Sequence, residues 1–295
     1  MLNYNNRSSK IRERAARGIF TVAALFSLGA LLVITIFLLC NGVPFIARTG
    51  FGKFVLGAEW RPLADTPSYG ILPMIVTSLY VTALAVIFGV VIGLSTAVCL
   101  YRFCPRKLVS PVRQMINLLA GIPSVIYGLF GMTVIVPFLR DYLSPTGVGY
   151  GILAAAIVLS VMILPTVVSV SLDSLSSVPI SYYEGALALG STEAEATFKI
   201  VLPAAKSGVT SGVILAVGRA LGETMAVIMV VGGSPEMPKS LFQSVRTLTS
   251  NIAMGAMELD ENTQEALIAS GVVLLVFALL LNISFSFLKQ DWSER

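Results

Sequence analysis

Arg219 and Glu223 are the two charged side chains that lie well inside an apolar run of this 295-residue chain, Ser207–Gly232. A charge near the centre of a membrane-crossing segment costs about 2.5–3.5 kcal/mol on insertion scales, so intramembrane charges usually serve a function. Four residues apart on a helix, the two would share one face about a turn from each other. A guanidinium stays charged at any working pH and offers planar, forked donors to carboxylate or phosphate oxygens. The spacing therefore suggests a charged station on an anion path, with Arg219 as the contact. Glu223 would keep the cation paired when the path is empty, and Thr224 adjoins them. The alternative reading is an intrahelical ion pair that only helps packing. On an adjoining face, Gly218 and Gly222 form a small-xxx-small patch, which permits close approach of another helix.

A polar stretch between two apolar runs carries the second candidate site. From Ser181 it reads Ser-Tyr-Tyr-Glu184-Gly185-Ala186-Leu-Ala-Leu-Gly190, and it continues through Thr192 and Glu195 to Ile200-Val-Leu202-Pro203. Ser181 with Glu184, and Thr192 with Glu195, each have the spacing of a capping box. Gly190 stands where a first helix needs a left-handed residue after its end, and Pro203 is expected to end the second. The stretch predicts a stiff helix–Gly–helix elbow, a rigid part for another protein to grip.

Several other chemistries lack their residues. Histidine is absent, and Cys40, Cys99 and Cys104 form no CxxC pair, so neither a Cys/His metal site nor a histidine proton relay is expected. No Walker A loop appears, so no catalytic residue and no cofactor is assigned.

The elements that must position these residues are membrane helices. The chain is 56% hydrophobic and 12% charged, about half the charge usual in soluble domains. A net charge of +4 does not point to nucleic acid, because the basic residues sit at span ends. The expected fold is an all-α integral membrane protein with six spans at about 18–40, 70–100, 115–139, 151–172, 207–232 and 266–288. A basic tail, 1–17, precedes a single polytopic domain, 18–295, embedded in lipid. The second run exceeds one perpendicular span, so either it tilts or Gly70–Met74 around Pro73 is a separate lead-in. Of the 20 Lys and Arg residues, 13 fall on the side of the N-terminus and 6 on the other, with Arg219 within a span. That bias places both termini and the elbow loop, 173–206, in the cytoplasm.

The elbow resembles the EAA loop of ABC-importer permeases, whose pattern is E-A-A-x3-G-x9-I-x-L-P. Glu184, Ala186, Gly190, Ile200, Leu202 and Pro203 match, and Gly185 stands in place of the first alanine. The run Gly218–Val227, GRALGETMAV, resembles the phosphate-specific PstC-type permease. So do Leu119–Gly128, Val245–Ala253 and Leu56–Pro62. The partner permease of such a system shares the loop and the GRA-GET core, and the Met225-Ala226-Val227 continuation favours the PstC type. The resemblance implies the type I importer fold and a bacterial or archaeal cell membrane. It also implies a second homologous permease, two cytoplasmic ATP-binding subunits and an extracytoplasmic phosphate-binding protein. The elbow would dock on the ATPase, and the Arg219/Glu223 pair would lie on the phosphate route. A permease for sulfate or molybdate, or an ATPase-independent secondary transporter, is the alternative.

Overall fold

The computed structural model describes residues 7–256 and 260–293, with side chains described over 13–256 and 260–284. Residues 1–6 of the expected tail, and the side chains of Lys289 and Arg295, lie outside these limits. The rest of the tail is continuous with the first helix, α1 (Arg7–Thr49), so the helix extends in both directions beyond the apolar run at 18–40. Residues 50–71 form a cap with a short helix, Phe51–Val55, and an antiparallel pair, β1 (Trp60–Arg61) and β2 (Ser68–Tyr69). Phe45, Phe54, Trp60 and Tyr69 meet edge-to-face at 5.3–6.0 Å between ring centroids, a geometry that the aromatic quadrupole favours.

The second helix, α2 (Leu72–Phe103), is one element with Pro73 in its first turn, where a missing N–H costs nothing. Gly70–Met74 is therefore no separate lead-in helix. Its last five residues, Cys99–Phe103, are wound as π-helix. The expected third span at 115–139 is instead two helices, α3 (Arg106–Gly121) and α4 (Ser124–Tyr142). Pro123 forces Ile122 out of the helical region (ψ 127), as the steric demand of a proline on its predecessor requires. The Tyr127 hydroxyl stitches the break by donating to the Leu119 carbonyl at 2.7 Å. Only α4 is apolar enough to cross a membrane. No residue of α3 is fully buried.

The central helix is α5 (Ile152–Ser177), which is buried along most of its length and keeps Pro165 inside it. After it come the elbow helices, α6 (Ile180–Ala188) and α7 (Glu193–Ala204), then α8 (Lys206–Gly222) and α9 (Met225–Val230). The 234–265 excursion folds back as α10 (Leu248–Gly255), packed against α2, α9 and the last helix, α11 (Glu261–Ser293). In lipid, tight packing does most of what hydrophobic burial does in water. Glycine supplies that packing on α2, where a Cβ on Gly89 would lie 2.6 Å from Ile163 Cδ1 and one on Gly93 2.8 Å from Val167 Cγ1. Gly208 and Gly212 seat α8 on α5 in the same way, against Ser174 and Val170.

Candidate functional site: a broken helix at Arg219 and a coupling elbow

The expected fifth span does not run straight through 207–232. Helix α8 ends at Gly222, and Glu223 follows in extended conformation (φ −70, ψ 130). Thr224 then opens α9, and its hydroxyl donates to the Gly222 carbonyl at 3.3 Å. Arg219 and Glu223 therefore do not share a helix face, and among the described residues neither takes part in an ion pair. The carboxylate has another partner, because Glu223 Oε1 accepts the Ala226 N–H at 3.0 Å and so caps the first turn of α9. A negative group at a helix N-terminus is favoured by the orphan donors there and by the macrodipole.

Broken backbone at membrane depth must be satisfied by protein or line a cavity. Here α10 provides the partner, as Thr249 Oγ1 donates to the freed Glu223 carbonyl at 2.9 Å. Helix α10 is itself fixed by a Thr247/Ser250 capping box and by its Leu248 N–H, which donates to Ser78 Oγ on α2 at 3.0 Å. Arg246 braces the approach, with Nε on the Gly233 carbonyl at 2.8 Å and Nη1 on Asn251 Oδ1 at 3.0 Å. Ser78, Thr82, Thr247, Thr249 and Glu223 thus line a small cavity of about 10 Å³, roughly the space of one water-sized sphere. Sequence reasoning missed these four hydroxyl residues. The Thr-x-x-Ser cap at 247–250 is the signal that could have found one of them, Thr247.

Arg219 lies on an exposed face of α8, and a Cβ built on Gly218 or Gly222 meets nothing within 4 Å. Among the described residues the small-residue patch has no partner. Close helix contacts come from other glycines instead, Gly89, Gly93, Gly208 and Gly212 among them.

The elbow keeps its expected shape, with two local differences. Pro179 takes the N-cap position of α6 with no side-chain cap, so Ser181 and Glu184 lie inside the helix and form no box. Proline fits there because its fixed φ suits the entry to a helix. The Thr192/Glu195 box does form. Lys199 and Thr192 hydrogen-bond the Glu195 carboxylate and hold its pKa down to about 2. Gly190 adopts φ 90, and its N–H and that of Ser191 reach back to the Leu187 and Ala186 carbonyls at 2.9 and 3.1 Å. Pro203 does not end its helix. A π-helical stretch, Ala196–Val201, absorbs the missing N–H, and α7 runs on to Ala204 before a 69° bend into α8. Glu184, Gly185, Gly190, Ile200 and Pro203 are exposed, Leu202 is half-buried, and Ala186 packs inward. Tyr183 is buried beneath Arg102, whose guanidinium carbon lies 3.8 Å from the ring centroid. Leu189, 90% exposed, projects from the tip.

A polytopic bundle with this protruding elbow has counterparts among known proteins. Residues 89–294 match the model of the binding-protein-dependent transport system inner membrane component family. The chain belongs to this family. It is therefore a permease subunit of an ABC importer, a multi-pass membrane protein. The probable ABC transporter permease YqgH of Bacillus subtilis is 38% identical over 94% of this permease and 90% of its own length. The phosphate transport system permease PstC of Mesorhizobium japonicum is 34% identical over 88% and 84%. The probable PstC of Methanocaldococcus jannaschii is 32% identical over 94% and 93%. The permease fold also matches a chain of the MetNI methionine ABC transporter (TM-score 0.61, 21% identity, 75% of this chain and 95% of that one). A bacterial alginate ABC transporter matches with TM-score 0.66 at 16% identity, over 97% and 98%.

Proposed function

We propose that this permease carries inorganic phosphate into the cytoplasm, as one of two different permease subunits of a bacterial or archaeal importer. Two cytoplasmic ATP-binding subunits and an extracytoplasmic phosphate-binding protein complete the assembly. The termini and the elbow face the cytoplasm, and residues from about 18 onward form one permease domain. The elbow, including Glu184, Gly185, Ala186, Gly190, Ile200, Leu202 and Pro203, docks on an ATP-binding subunit. The reading rests on Arg219. Among the described residues it is a permanent cation without an ion-pair partner, on a face of α8 that no other described helix covers, in a permease with relatives named for phosphate. A second permease on that face would turn the open surface into the wall of a path. Arg219 then meets the anion, Glu223 fixes the start of α9 beside it, and Thr224 lies at the turn between them.

Phosphate uptake normalised to membrane-inserted complex tests this. Arg219→Gln should lose at least tenfold in uptake while its protein level stays normal, since no carboxylate is left stranded. Arg219→Lys should recover only part, because an ammonium keeps the charge but loses the fork. Near-normal uptake by a double Arg219→Gln, Glu223→Gln variant would sink the proposal.

A further inference from the structure

A second cationic site lies at the opposite end of the bundle from the cap, and the transport path does not use it. The π-helical end of α2, the first turn of α3 and the start of α7 line an open pocket of about 520 Å³. Its charged walls are Arg102, Arg106 and Glu193, with Tyr101, Cys104 and Val109 between them. Arg102 is positioned by its stack on Tyr183 of the elbow. Arg106 belongs to no ion pair among the described residues, so its charge is available. Two guanidinium groups and one carboxylate leave a net charge of +1 in the pocket, which matches a singly charged anion.

The site also has a defined depth. Helix α2 runs 32 residues, about 48 Å at 1.5 Å per residue, against roughly 30 Å of hydrocarbon and 40–45 Å with headgroups. Its last turn therefore lies at the headgroup level. Beside it Phe103 stacks on Phe198 at 6.2 Å, with both rings about half exposed. Basic pockets at the cytoplasmic ends of membrane helices suit lipid headgroups. We infer that the Arg102/Arg106 pocket binds a singly charged phosphate group, carried by the diester of an anionic phospholipid or free in the cytoplasm. Because Arg102 also grips Tyr183, an anion bound there would brace the elbow against α2. The inference rests on the proposed orientation for its side of the membrane, but not on phosphate being the cargo.

The test uses the assembled complex carrying Arg219→Gln, so that the transport site cannot supply the signal. It is placed in nanodiscs of phosphatidylcholine with or without phosphatidylglycerol, and retained lipid is measured per complex. Phosphatidylglycerol enrichment that falls about fivefold in Arg106→Gln and survives in Arg106→Lys assigns the site to the lipid. Inorganic phosphate titrated into phosphatidylcholine discs provides the other arm. A rise in thermal stability that Arg106→Gln abolishes assigns the site to free phosphate. Arg106 is exposed and unpaired, so its loss should leave the complex assembled. If the Arg106→Gln and Arg106 complexes behave alike in both arms, the inference is overturned.

Discussion

At Arg219 the structure removes the partner that the sequence spacing promised. Four residues bring two side chains together only while the helix continues, and this helix stops at Gly222. Glu223 caps α9 instead, and its carbonyl depends on Thr249, twenty-six residues away. Thr249→Val keeps the shape of the side chain and removes its donor. It should destabilise the complex by about 1 kcal/mol, the usual net worth of one hydrogen bond. The thermal midpoint of the purified complex measures this. An unchanged midpoint would mean that water replaces the hydroxyl and that α10 is not what holds the break.

Among the elements, the elbow depends most on a single backbone conformation. Gly190 sits at φ 90 with open space around its Cα, so any cost of a side chain there is conformational and not steric crowding. Gly190→Val places a β-branched residue in the left-handed region. The angle between α6 and α7 should shift, and copurification of the ATP-binding subunits with uptake should fall several-fold. Insertion should be unaffected, because the bundle does not pack on Gly190. Normal assembly with normal uptake would count against the elbow as the docking part. By contrast, acid should not switch this element. A carboxylate whose folded pKa is depressed contributes stability above its unfolded value and loses it as pH falls through the folded one. For Glu195 that loss comes near pH 2, below any pH at which the importer would be assayed.

Across the whole molecule, two kinds of glycine patch have different destinies. Gly89 and Gly93 are filled from within the chain by Ile163 and Val167, whereas Gly218 and Gly222 face open space. Much of α1 is likewise bare, with Phe20 and Phe26 more than 70% exposed, and both surfaces await lipid or another subunit. Gly93→Leu should therefore reduce the folded, inserted chain itself, since overpacking a tight contact costs about 1–3 kcal/mol or more. Gly218→Leu should leave insertion normal and lower recovery of the second permease on copurification. Unchanged recovery of the second permease with Gly218→Leu would show that the Gly218 face has no role in assembly.

Apolar run length, charge bias and the capping and glycine signals of the elbow are local properties, and the sequence by itself determined them. They placed α1, α2, α5 and α11 to within a few turns, the Gly190 turn, and the Thr192/Glu195 box. They also singled out Arg219, because a charge in an apolar run is visible without coordinates. Other features depend on competition between local preference and distant partners, and only the tertiary structure decided those. Hydropathy merged α3 with α4, while the fold parted them at Pro123 and closed the gap with Tyr127. Helical spacing paired Arg219 with Glu223, yet a hydroxyl from α10 could satisfy the freed carbonyl and so permitted the break between them. Within the polar excursion, residues 247–251 look polar in one dimension and pack inward in three, because Thr247, Thr249 and Ser250 find their hydrogen bonds there. Nothing in their own neighbourhood along the chain records those partners.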